Sequence, residues 1–462
     1  MPSSEREYGS CMVWVGIDDT DSPKGGCTTW VLSEVLRRVA REGDGIDLIG
    51  PPRLVRLNPN IPWKTRGNAA LAARFGRGRG PSHRVGASRG VPLLAHDRAD
   101  PLRPPQVDRL WEIVLDVVAR ASDRSEPGTD PTVVLAPGAL PSELYWRAVR
   151  EVVPWREVRE ELLKVKGLRF AAYGSGQGLV GATAAISWPG RRATWEAIAY
   201  RGPSRWGTPR HVDGESVRRV AERYEETFLS FDERTRRTLV APHTPCPILF
   251  GLRALTPSRL PRAVEEIEAG EELDRWVLFR TNQATGDHLL PRPLSETSPG
   301  TSGVYQGVVA RAPEPLPGGH VLLTLSDDGL SLGCVAFEPT KTLPRLAREL
   351  LPGDQVRVWG SYPCERVGAR RLRLEGMELL RARPLWLKRH NPRCPRCQKR
   401  MRSLGAGKGF RCGACGGRSP PESASGTWLP RSHLQGVYLP TPSARRHLAP
   451  LRAPRPRGRP AL

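Results

Sequence analysis

Three carboxylates within four positions, Asp18, Asp19 and Asp21, directly follow the apolar run Val13-Trp-Val-Gly-Ile17. The run predicts a short buried strand over 13–17, and Pro23 with Gly25-Gly26 predicts a turn after the acids. Carboxylates gathered at the carboxyl end of a strand lie where α/β sheets hold their ligands. Like charges this close repel one another, and a hydrated Mg²⁺ that also takes phosphate oxygens would offset them. Thr28 and Thr29 open a predicted helix over 30–41, which puts hydroxyls and free backbone N–H groups where a phosphate could dock. An Asp-rich surface turn capping that helix has the same composition.

A second set of polar groups falls on Asn58-Pro-Asn-Ile-Pro-Trp-Lys-Thr-Arg-Gly-Asn68, where the prolines break regular structure. Lys64, Thr65, Arg66 and Asn68 therefore lie on a loop. They suit a phosphate or a ribose, Arg gripping two oxygens and Lys acting as a point charge, and they also suit an ordinary solvated loop. Gly174-Ser-Gly-Gln-Gly178 allows close backbone approach to a phosphate, or serves as a hinge. Cys246, held between prolines in Pro242-His-Thr-Pro-Cys-Pro247, reads as a packed structural residue rather than a nucleophile.

The strongest local signal is Cys394-Pro-Arg-Cys397 with Cys412-Gly-Ala-Cys415. Two such knuckles bring four thiolates to one Zn²⁺, and a site closed by four sulfurs is structural. No acid occurs between Leu379 and Pro421, while Arg389, Arg393, Arg396, Lys399, Arg400, Arg402, Lys408 and Arg411 surround the knuckles. That is an electrostatic footprint for phosphates, to which Trp386 and Phe410 could add base stacking.

The rest of the chain must position these groups. It has 462 residues, enough for three or four domains, with 39% apolar residues and a net charge of +23. A field of that sign attracts polyanions, nucleic acid first among them. Nine cysteines are too few for a disulfide scaffold at this length, which predicts a reducing compartment. No apolar leader and no membrane-length apolar run occur, so the expectation is a cytoplasmic protein with no membrane partner.

Along the chain, strands are predicted over 54–57 and 69–75, and a glycine-rich basic segment over 77–89 reads as mobile. A helix over 107–121, a polar linker over 122–131 and a strand-and-helix unit over 132–165 follow. Strands over 182–187, 195–200, 238–241, 247–252 and 275–280 alternate with helices over 215–230 and 262–269, which suggests a ferredoxin-like α+β layer. Strands over 304–310, 320–325, 331–337, 355–362 and 371–378, with a helix over 343–350, fit an OB-fold barrel that holds single-stranded nucleic acid. The fold class is therefore multidomain α+β. It comprises an α/β domain (1–175), a ferredoxin-like domain (176–300), an OB-fold (301–385), a zinc ribbon (386–420) and a basic tail (421–462).

Taken together, Gly16-Ile-Asp-Asp-Thr-Asp-Ser22 with Gly26-Cys-Thr-Thr29, Arg56-Leu-Asn-Pro59, Lys64-Thr-Arg-Gly-Asn68, Thr244-Pro-Cys-Pro247, Ala336-Phe-Glu-Pro-Thr-Lys341, the zinc ribbon and Pro442-Ser-Ala-Arg-Arg-His447 resemble the archaeal tRNA-isoleucine 2-agmatinylcytidine synthetases. The likeness runs from about residue 12 to 450, and it implies that the α/β domain over 1–175 is kinase-like and that the ferredoxin-like domain over 176–300 binds agmatine. It implies a ligase that uses ATP to activate carbon 2 of the wobble cytidine of an isoleucine tRNA, where agmatine displaces the activating phosphate and leaves agmatidine. Matched residue by residue, Asp18, Asp19 and Asp21 would hold Mg²⁺ and ATP, and Thr28 would be the family's autophosphorylated threonine. Thr20, Ser22, Gly25, Gly26, Thr29, Lys64, Arg66 and Asn68 would surround the nucleotide. Agmatine is a dication and calls for carboxylates. Asp213 and Glu215 at a predicted helix start offer them, or simply cap that helix. The chain departs from the family pattern at Pro23-Lys24, in the segment over 77–89 and in its Arg/Pro-rich tail. Two readings of other classes stand beside this one: a HAD-type phosphotransferase built on Asp19-Thr-Asp21, and a tRNA-binding protein without catalysis.

Overall fold

The computed structural model describes residues 12–22, 24–64, 67–122, 126, 128–364 and 371–454. Its first strand, β1 (Val13–Asp18), is apolar to its last residue but one and lies inside a ten-stranded sheet. Alternate side chains serve opposite faces, as a period of two requires. Val13, Val15 and Ile17 meet α1 (Thr28–Glu42) and, further along the chain, a second helix on the same face. Trp14 faces a separate core on the other side.

The sheet continues with β2 (Arg53–Arg56), β3 (Ala69–Ser88) and β4 (Val91–Asp100). α2 (Pro104–Ala121) lies beside α1, and β5 (Thr132–Ala136) pairs with β1. α3 (Ser142–Arg150), α4 (Trp155–Leu163), β6 (Arg169–Ala172) and α5 (Gly178–Ser187) follow, the three helices packing on the Trp14 face. β7 (Thr194–Arg201), α6 (Gly214–Arg223), β8 (Ile248–Ala254), α7 (Leu260–Glu265) and β9 (Leu273–Thr281) then extend the same sheet, whose order is β8-β7-β9-β2-β3-β1-β5-β6.

Three expectations change here, and the sheet links two of the expected domains. Helices do flank both faces of the sheet, but apart from the parallel β9–β2 contact its strands pair antiparallel. The acids therefore do not owe their place to the parallel-sheet rule. The stretch over 182–187 belongs to helix α5, not to a strand. It is buried on nearly every side, and a short all-apolar run has no period to distinguish the two. The basic segment over 77–89 is ordered: β3 and β4 form a hairpin around Arg89 and Gly90, both at positive φ (48° and 79°), the geometry of a two-residue primed turn. Arg79 pairs with Asp100 at 2.6 Å, and Arg89 with Asp274 at 3.0 Å. Finally, the strands over the predicted second domain hydrogen-bond to β2 and β3, so the sheet runs unbroken past residue 176.

Beyond the sheet, β10 (Thr301–Val309), β11 (Val321–Asp327), β12 (Leu330–Ala336), α8 (Thr342–Glu349), β13 (Gln355–Tyr362) and β14 (Leu372–Arg381) follow. The five strands close a barrel in the order β10-β11-β12-β14-β13, with β12 and β14 parallel. Leu343, Leu346 and Ala347 of α8 join its core. β15 (Leu385–His390) and β16 (Ser425–Leu429) make a two-stranded ribbon that carries the cysteine knuckles. Among the described residues no helix is long and apolar enough to cross a membrane.

The chain then returns to the sheet. Backbone N–H groups of Ala284 and Gly286 donate to the carbonyls of His447 (2.7 Å) and Leu448 (2.9 Å), and Leu448 enters the core beside Trp14. Next to this junction His288 Nε2 lies 2.9 Å from Glu375 Oε2, and Arg446 Nη1 donates to Ser361 Oγ (3.1 Å) and Glu375 Oε1 (3.3 Å). Burial alone would raise the Glu375 carboxyl, but His288, Arg446 and Ser361 hold it down at about 2, against an ordinary 4.5. A carboxyl depressed in the folded state stabilises it above the ordinary value and loses that contribution as pH falls through the folded value. Thermal unfolding of the wild type is expected to weaken from pH 4.5 towards pH 2 more steeply than that of Glu375→Gln, and equal slopes would exclude the role of this junction.

Candidate nucleotide site and metal centre

Asp18, Asp19 and Asp21 line a cleft with Lys64, Asn68, Trp63, Glu151 and the start of α5 from Gln177 to Gly181. Each wall has its own cause. The backbone N–H of Asp19 donates to Asp18 Oδ1 (2.8 Å), and Asp19 sits at φ 56°, a left-handed conformation that Asp tolerates better than most residues. Helix α5 reaches the acids because it carries glycine where it crosses β1. A Cβ on Gly181 would fall 1.8 Å from Asp18 Oδ2, and one on Gly16 would fall 2.2 Å from the Ala182 carbonyl oxygen. The opposite wall is pinned by asparagines. Asn58 Nδ2 donates to the carbonyls of Glu151 and Gly300, both at 2.8 Å, and Asn68 Nδ2 to that of Asn58 at 3.0 Å. Asn60 Nδ2 reaches Ser302 Oγ at 2.9 Å, so the loop that offers Lys64 also touches the first strand of the barrel.

Sequence reasoning missed Asp130, which it left in a polar linker. Asp130 is buried, accepts from Ser175 Oγ and from the Gln177 N–H (2.8 Å), and so holds the start of α5. Its other oxygen, Oδ1, is buried with no hydrogen-bond partner. Only its position between a linker and a strand marked it in the sequence. Trp63 was also passed over; it is 47% exposed on the cleft wall, an aromatic face suited to a base.

The electrostatics follow from this crowding. Desolvation, then the charges of Asp19, Asp21 and Asp130, push the Asp18 carboxyl well above the usual range. Desolvation with Asp21 and Asp130 pushes Asp19 up to about 7, against the opposing effect of the Asp130 backbone N–H. Surplus negative charge of this kind favours a bound cation. Among the described residues the three acids do not form a set whose oxygens all lie within 4.8 Å of one another, so this arrangement is not a closed carboxylate cage.

The other expected residues are distributed unevenly. Thr20 is buried with its hydroxyl unpartnered, and Ser22 and Gly25 close the turn through paired backbone bonds of 2.9 and 3.2 Å. Gly26 takes φ 73° beneath the Thr20 carbonyl. Thr28 and Thr29 are buried at the start of α1 and do not line the cleft; the helix start that does is that of α5. Arg66, with Thr65, lies outside the described residues. Asp213 and Glu215 do not line this cleft: Asp213 caps α6 by accepting from the Ser216 N–H (2.6 Å), and Glu215 pairs with Arg218 (3.2 Å) and Arg236 (2.8 Å).

In the C-terminal ribbon the cysteine sulfurs converge. Cys394 and Cys415 lie 3.4 Å apart, Cys397 and Cys412 3.4 Å, and Cys397 and Cys415 3.7 Å. A tetrahedron with Zn–S near 2.3 Å has edges of about 3.8 Å, so the four sulfurs fit Zn²⁺ with no open position. Backbone N–H groups of Cys415 and Ala414 hold the Cys412 thiol down at about 6, and those of Cys397 and Arg396 lower Cys394. Gln398 sits at φ 60° in the first knuckle.

Three family profiles match in succession: the TiaS TCKD domain over residues 14–175, the TiaS FLD domain over 176–288 and the TiaS C-terminal zinc ribbon domain over 391–426. TiaS of Methanopyrus kandleri, the 2-agmatinylcytidine synthetase of the second isoleucine tRNA, is 35% identical over 450 residues, 95% of this chain and 96% of that protein. The chain belongs to the TiaS family. Two solved TiaS structures share its course. The complex of TiaS with the second isoleucine tRNA and ATP has TM-score 0.79 and 32% identity over 97% of this chain and 99% of that one. The complex of TiaS with the same tRNA, AMPCPP and agmatine has TM-score 0.76 and 30% identity over 95% and 96%. The match to the TiaS zinc ribbon gives the four converging sulfurs their role as zinc ligands.

Two outcomes test this geometry. Gly181→Ala is expected to cost about 1–3 kcal/mol of stability from overpacking, read by thermal unfolding, and to displace Asp18; unchanged melting would show that α5 has slack. Metal analysis should find one zinc per chain, lost in Cys394→Ser, with the wild-type content in that variant as the contrary result.

Proposed function

We propose that this chain uses ATP to activate carbon 2 of the wobble cytidine of an isoleucine tRNA with a CAU anticodon and joins agmatine there, giving agmatidine for decoding AUA. The bond formed is between C2 and the primary amine nitrogen of agmatine. The bond broken is between C2 and its oxygen, which leaves with the activating phosphate. The observation that carries this reading is the extent of the likeness: relatives solved with the second isoleucine tRNA, ATP or AMPCPP, and agmatine match over 95–97% of the chain, so cleft, barrel and ribbon come as one set.

In this reading residues 1–175 are the kinase-like catalytic domain and 176–300 the ferredoxin-like agmatine-binding domain, the two sharing one sheet. The barrel over 301–385 is an OB-fold: its strand order and single parallel pair agree with that topology. Asp18, Asp19 and Asp21 hold Mg²⁺ with the nucleotide. The ion, when bound, supplies charge neutralisation for phosphoryl transfer and orients the phosphates. Lys64 and Asn68 stand across the cleft from the acids, the start of α5 presents backbone N–H groups to an anion, and Trp63 offers a face to a base. Thr28 is the phosphate acceptor by family correspondence. It is buried at the start of α1. Carboxylates aimed at a metal-bound nucleotide act through position and charge, so removing one should cost rate steeply.

The test combines chain, ATP, Mg²⁺, agmatine and unmodified tRNA. The wobble nucleoside should gain agmatine by mass spectrometry while AMP accumulates, and Asp19→Ala and Asp21→Ala should lose about 100-fold or more of the rate. Full activity in either variant would overturn the site assignment, and an unmodified anticodon with the wild type would overturn the function.

A further inference from the structure

The ribbon that joins barrel to zinc centre leaves its large apolar side chains uncovered. β15 and β16 pair only with each other, and Leu385, Trp386, Leu387, Trp428 and Leu429 are 37–55% exposed. An isolated two-stranded ribbon is marginal in water, and aromatic side chains left on it mark a contact surface. The register sorts the two faces. Trp386 lies directly opposite Trp428 and Lys388 opposite Gly426, so both tryptophans and the lysine share one face. The indoles have centroids 5.1 Å apart at 53°. Gly426 is needed beneath them, since a Cβ there would come within 2.6 Å of the Trp386 ring. Lys388 Nζ stands 4.6 Å from the ring centre of Phe410, which is buried in the core of the zinc ribbon.

Charge selects the occupant. From Leu379 to Pro421 the chain has twelve lysines and arginines and no acid. Flat aromatic faces edged by positive charge match a polyanion that also has flat aromatic faces, which is an RNA strand with bases out of their stack. Bases held in a duplex present only their edges, so the match is to an unpaired stretch. We propose that Trp386 and Trp428 form a stacking platform for unpaired bases of the bound tRNA, with Lys388 on an adjoining phosphate. This rests on the tRNA substrate of the proposed function and adds the ribbon as a second grip distant in sequence from the acidic cleft.

The probe is a fluorescein-labelled, unmodified isoleucine tRNA transcript titrated with the zinc-loaded full chain and read by anisotropy. Trp386→Ala and Trp428→Ala are expected to weaken binding about 5- to 100-fold each, whereas Trp428→Phe stays within about threefold of wild type. The tryptophan variants should keep the wild-type salt dependence, and Lys388→Ala should lower its slope by about one. At saturating tRNA, Trp428→Ala should retain the wild-type kcat for agmatine transfer with a raised KM for tRNA. A double alanine variant with full zinc content and wild-type tRNA affinity would overturn the platform while leaving the proposed function intact. A self-association of the wild type in sedimentation velocity that Trp428→Ala abolishes would assign the face to a second copy and overturn it too. A wild type that does not bind the transcript at all would remove the proposed function, and the platform with it.

Discussion

The contact on which the acidic cleft depends is the crossing of α5 over β1. Helix and strand meet at backbone distance because Gly16 and Gly181 carry no side chain at the crossing. That approach sets the start of α5 beside Asp18 and puts backbone N–H groups within the same cleft as three carboxylates. Alanine, threonine and serine over the rest of the helix let it sink between α3 and the sheet. Asp130 then ties the helix start to the segment that follows the acidic turn. Function and packing meet in the same few small residues.

The charge distribution divides the molecule. The chain as a whole is strongly basic, yet its cleft gathers Asp18, Asp19, Asp21 and Glu151. Long-range attraction brings a polyanion to the surface, while the cleft itself repels phosphates unless a cation accompanies them.

Much of this was legible in the residues. β1, the acidic turn, the barrel strands and the cysteine knuckles carry strong signals: continuous burial, alternation, fixed metal-ligand spacing. What was not legible has a common cause, which is pairing between residues distant in sequence. The run over 182–187 has no period to separate helix from strand, and only its contact with β1 decides. The basic segment over 77–89 looked loose because its partner strand, β4, lies beyond its own turn. The strands of the block after 176 complete the first sheet, a pairing across distant residues that local patterns do not carry. Asp130 was invisible because its role comes from Ser175 and Gln177, which sequence places more than forty residues away. Asp213 was legible as a cap, and it caps α6 by accepting from the Ser216 N–H.

The return of the chain at His447 and Leu448 has a mechanical consequence. A module hung from one linker swings like a pendulum, and its far end visits a wide arc. Here barrel and ribbon leave the sheet near Asn282 and are moored to it again by residues that follow the ribbon. With two moorings the arc shrinks, and the barrel keeps one bearing on the sheet.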